Sequence, residues 1–124
     1  MPDKKDLREN LSLPIYENSS ETETFQNQVL RPVLKLQNEI YIMLFRDYAV
    51  SKISDFSSLN AEKKINFIDQ NLQKDHALRN IFIGMTVGML TSDEMKIYLS
   101  DAKAYNKRII SMLSERIKSQ VELL

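Results

Sequence analysis

From residue 21 onward the chain contains one proline, Pro32, and two glycines, Gly84 and Gly88, and its apolar residues recur every three or four positions. That recurrence is the period of the α-helix, whereas strands alternate every second residue and need frequent turn residues between them. An all-α fold is the expectation. The chain's 124 residues are enough to bury one core without covalent staples. An apolar share of 43% beside 27% charged residues is ordinary for a globular protein.

Residues 1–20, MPDKKDLRENLSLPIYENSS, alternate charges with Ser, Asn and two prolines, and read as a flexible tail ahead of a single helical domain over 21–124. Leu11, Leu13, Ile15 and Tyr16 form a short apolar cluster within the tail, too small for a signal-peptide core. The longest apolar run, Ile81 to Leu90, is about half of what a bilayer-spanning helix requires. A cytoplasmic location away from membranes is therefore expected.

The first helix is expected to begin between Glu21 and Thr24 and to end near Ser51. Phe25, Val29, Val33, Leu36, Ile40, Met43 and Leu44 make one stripe along it, and Leu30, Leu34, Tyr41, Phe45 and Tyr48 make a second on an adjoining face. Two stripes exceed the arc that one neighbour covers, so the second is a candidate interface between two copies of the chain. Pro32 is expected to kink this helix, because proline lacks the amide donor and crowds the preceding turn.

A loop over Asp55 to Asn60 precedes a short second helix, Ala61 to Lys74, with Asn60 as its N-cap. Asp75 should cap a third, from His76 to Leu90, in which Gly84 and Gly88 offer a line of close approach to another helix. Thr91-Ser92-Asp93-Glu94 has the pattern of a capping box. From there the apolar spacing continues to Leu124, which predicts one uninterrupted fourth helix. The whole is a four-helix arrangement, long-short-short-long.

Several kinds of chemistry are excluded. Without cysteine there is no thiolate nucleophile or thiolate metal site, and one histidine cannot supply a site needing two imidazoles. No glutamate precedes that histidine by three residues, as a di-iron bundle would require. His76 beside Asp75 reads as an exposed residue next to a helix cap. The two glycines lie inside an apolar helix and so form no phosphate loop. Seventeen basic and seventeen acidic residues give zero formal charge, and the third helix is too apolar to read base edges, so nucleic acid is not an expected partner. Neither a metal nor a cofactor is expected.

Two polar features remain. Between Lys103 and Lys118 stand five basic residues (Lys103, Lys107, Arg108, Arg116, Lys118) and one acid, Glu115, while residues 1–24 carry six acids and three bases. This is the pattern of a solvated basic helix face, or of a surface that an acidic segment or partner covers. A polar thread also interrupts the apolar stripes: Gln28, Arg31, Gln37, Asn38 and Glu39, then Arg79 and Asn80, then Tyr105, Asn106 and Arg108. Arg31, Asn38, Arg79, Tyr105 and Arg108 are candidates for a polar network or a pocket for a small anion.

The segments LRPVLKLQNEI (Leu30 to Ile40), KDHALRNIFIGMTVG (Lys74 to Gly88) and AYNKRIISMLSERIKSQ (Ala104 to Gln120) resemble a small family of uncharacterised bacterial helical proteins. The resemblance covers about residues 24–122 and implies the same helical fold. Some members are labelled glyoxalase. The vicinal-oxygen-chelate glyoxalases are βαβββ proteins with His and Glu ligands, and the metallo-β-lactamase type needs several histidines, so the resemblance transfers no active-site residue. The sequence thus points first to a non-enzymatic interaction or oligomerisation module, most simply a homodimer, and second to a bundle that binds or transforms a small anionic ligand.

Overall fold

The computed structural model describes residues 4–8 and 21–124, and every regular element among them is helical. A rod occupies residues 21–52. It begins as α1, Glu21–Phe25, widens into a π turn, Gln26–Leu30, and continues as α2, Arg31–Leu36, and α3, Asn38–Lys52. At Pro32, where a kink was expected, the ladder gains a residue just ahead of the proline, with the Arg31 amide donating to the Gln26 carbonyl. Proline can neither donate nor tolerate the carbonyl four residues back, and a π turn changes which carbonyl faces the ring. The hydrogen-bond ladder continues through the joint at Gln37, whose amide bonds to Val33 O (3.1 Å) and whose carbonyl accepts from the Tyr41 amide (3.1 Å).

A 3-10 turn, Phe56–Ser58, leads into α4, Ala61–Lys74, and a single residue, Asp75, separates α4 from α5, His76–Val87. The caps are those expected from sequence. Asn60 accepts from the Lys63 amide (2.9 Å) and Asp75 from the Leu78 amide (3.1 Å). Thr91 and Glu94 exchange their bonds in a complete capping box at the start of α6, Ser92–Ser100. The uninterrupted final helix is not found. Asp101 adopts φ −157° and ψ 63° and caps a separate helix, α7, Ala102–Lys118, so the chain from Ser92 onward is two helices and a terminal 3-10 turn, Val121–Leu123. Apolar spacing stayed in phase across Asp101, whereas the aspartate side chain competed for the backbone and turned it.

The core forms where α3 crosses α4 and α5. Tyr41 meets Phe82 of α5 at 5.8 Å between ring centroids, and Phe45 meets Phe67 of α4 at 6.0 Å. Helix α7 packs against both α4 and α5, and Phe25 of α1 reaches Tyr105 of α7 at 4.9 Å. Phe56 is fully buried against Phe67, which anchors the expected loop. A buried polar chain crosses this core: Gln37 donates to the Tyr41 hydroxyl (2.9 Å), which pairs with Thr86 (2.7 Å).

This packing overturns the interface expected from sequence. Leu30, Leu34, Tyr41 and Phe45 are buried within the single chain, and Tyr48 is half-buried with its hydroxyl on Asn71 and Asp75. They face α4, α5 and α7 and are closed to a second copy. The neighbouring stripe divides: Phe25 and Val33 are buried, whereas Leu36, Ile40 and Met43 face outward. The glycine line also lacks the close neighbour expected of it, since Gly84 and Gly88 are exposed and a Cβ at Gly84 would meet nothing within 4 Å.

At the other end of the chain, a 3-10 turn over Lys4–Leu7 lies against the corner between α5 and α6. Lys4 donates to the carbonyls of Gly88 and Leu90, both at 3.1 Å. Arg8 grips both carboxylate oxygens of Glu94 (2.8 and 2.7 Å), with side-chain exposures of 5% and 7% for the pair. Residues 4–8 are thus held by charge. The rest of the expected tail, including Leu11, Leu13, Ile15 and Tyr16, lies outside the described residues. At the opposite terminus, Arg46 donates to Leu123 O and the buried Lys64 to Leu124 O (2.7 Å).

Candidate functional site

The polar thread separates into distinct places. Tyr105 belongs to the core, stacked against Phe25. Arg79 lies beside α4, donating to Gln73 O at 3.1 Å. Arg31 lines a cleft of about 480 Å³ between α2 and α7, within the size range of small-ligand sites, and Asn38 and Arg108 bond to residues of its wall without lining it. Its walls are Gln26, Arg31 and Leu34 on one side and Ser111, Met112, Glu115, Arg116 and Ser119 on the other.

Each polar group has an identifiable support. Arg31 is oriented by Asn27 one turn earlier, Nε to Oδ1 at 2.9 Å. Arg108 donates to Gln26 Oε1 (2.5 Å), fixing the amide at the cleft wall. Asn38 and Gln120 exchange amide bonds (2.7 and 2.8 Å), and Arg116 leans on the same Asn38 oxygen at 3.4 Å. The spacing of Arg108, Met112 and Arg116 by four residues places all three on one face of α7.

Charge sets this cleft apart. Among the described residues no carboxylate pairs with Arg31 or Arg116. Burial first, and then the neighbouring Arg31 guanidinium, pull Arg116 below its usual pKa, with the Tyr41 hydroxyl acting in the opposite direction. An arginine still holds its proton under such pressure. The cleft therefore presents two cations, one of them half-buried, together with the hydroxyl-bearing residues Ser111 and Ser119, the amide of Gln26 and one carboxylate, Glu115, which contacts Lys118 at 3.0 Å.

A second depression of about 480 Å³ lies on the other side of α7 and includes Arg79, Lys107, Lys118, Asp69 and Glu115. There both acids are taken by one cation, since Lys118 contacts Asp69 and Glu115 at 3.0 Å each, and Arg79 donates to a backbone carbonyl. Among the described residues there is no group of three or more metal-ligating side chains, and no helix is long and apolar enough to cross a membrane.

Sequence reasoning found Arg31, Asn38 and Arg108 but left Arg116 in the basic face of the last helix. The available signal was the four-residue spacing from Arg108 through Met112 to Arg116. No protein-family model, curated protein or solved structure matches this chain.

Proposed function

We propose that the chain is a small-anion-binding helical protein that takes a phosphate or carboxylate group in the cleft between α2 and α7. The observation that carries this reading is the pair Arg31 and Arg116, which share one cleft and have no carboxylate partner among the described residues. Holding a guanidinium partly out of water beside a like charge costs free energy that an anion would return. Arginine's planar donors match two oxygens of a phosphate or carboxylate at once. The surrounding serines and Gln26 can complete the shell, and Leu34 and Met112 supply an apolar wall for the remainder of the ligand. The chemistry supported is recognition.

Thermal unfolding in the presence of inorganic phosphate or succinate tests this. Phosphate stabilises many proteins without a site, by exclusion from their surfaces, so the informative comparison is between variants. Wild type and Arg79→Gln should gain melting temperature equally, and Arg116→Gln should lose most of that gain. Equal gains in all three proteins would overturn the reading. A response to succinate alone or to phosphate alone would distinguish the two ligand classes.

A further inference from the structure

The end of α2 and helix α3 carry apolar residues on the side away from the core. Leu36, Ile40, Met43 and Val50 are 44%, 54%, 61% and 43% exposed. Their spacing, with Asp47 completing the series, is four, three, four and three residues, the heptad seam along which two helices pair. None of these residues belongs to the interface read from sequence. The stripe is about 21 Å long at 1.5 Å per residue, the size of a modest, concentration-dependent contact.

The charges beside the seam select its occupant. Glu39 and Arg46 flank it on the same side, seven residues apart, and both are exposed, with one nitrogen of Arg46 donating to Leu123 O. In an antiparallel pair, positions of this kind face each other across the seam. The register that places Ile40 on Met43 of a second copy also places Glu39 opposite that copy's Arg46, and the two-fold axis repeats the contact. One helix thus carries both halves of a charge match with itself, centred between its two most exposed apolar residues. A parallel pair would instead set Glu39 against Leu44 and Arg46 against Ser51 of the second copy, with no charge match.

The geometry points to self-association of this protein through the outer face of α3, with two copies antiparallel and Ile40 and Met43 at the centre. The pairing is independent of the anion cleft, which lies between α2 and α7. Sedimentation equilibrium or light scattering over a wide concentration range reads the mass directly. Wild type should approach twice 14.5 kDa at high concentration. Ile40→Glu should remain at one chain's mass with an unchanged helical circular dichroism spectrum. Glu39→Arg should raise the dissociation constant about tenfold, since two attractive pairs become repulsive, and adding Arg46→Glu should restore it. A wild type that stays at one chain's mass at every concentration would overturn the proposal. So would an Ile40→Glu variant that still dimerises, or a charge reversal that strengthens association.

Discussion

The Tyr48 hydroxyl donates to the Asp75 carboxylate at 2.7 Å, and each partner alters the other's titration. Burial, and then its bond to Asp75, pushes the Tyr48 phenol up to about 12. The bond from Tyr48, followed by the one from the Leu78 amide, holds the Asp75 carboxyl below the usual carboxylate range. A raised folded-state pKa contributes stability that is complete below the phenol's ordinary value of 10.0 and disappears as pH climbs towards about 12. A depressed one contributes stability that is present above about pH 4 and disappears as pH falls below it. Denaturant midpoints measured across pH should therefore decline at both extremes. Tyr48→Phe should flatten the alkaline decline and reduce the acid one. The two residues are far apart in sequence, and only Asp75's capping role was legible there, because a cap is defined by the three residues that follow it.

Among the elements, α5 is set apart by glycine inside a regular helix. At Gly84 the structure requires nothing of glycine: its φ is not positive, and a Cβ would meet nothing within 4 Å. Gly84→Ala should stabilise the protein by about 1 kcal/mol through helix propensity and a less disordered unfolded chain, measured by urea denaturation. At Gly88 the same change places a Cβ 3.1 Å from Gly84 O and should gain less. Local signals read these elements well. Asn60, Asp75 and Thr91 all cap as their neighbours in sequence predict, since side chain and amide lie within one turn. Asp101 escaped because Tyr98, Ala102 and Tyr105 keep the helical period across it. The two stripes of the first rod were resolved, but the second turned inward and the first divided between core and surface, because which part of two apolar arcs is buried depends on where Phe82 and Phe67 arrive.

At the level of the whole molecule, long-range polar contacts bind the ends of the chain to its middle. The Arg8–Glu94 pair is almost fully buried, and breaking such a pair by removing one partner is costly. Arg8→Met should cost about 3 kcal/mol in urea denaturation, and Arg8→Met combined with Glu94→Met should recover part of that loss. The all-helical class was legible from periodicity alone, because it is a property of each segment. The anion cleft was half legible, since Arg31 and Arg108 stood out, but nothing local associates Arg116 with Arg31. The Arg8–Glu94 clasp also has a consequence in time. Its halves are 86 residues apart, so on a ribosome adding roughly 5–20 residues per second Arg8 waits about 4–17 s for its partner to be made. Until then the corner between α5 and α6 does not exist, and residues 4–8 are fastened only long after they are made.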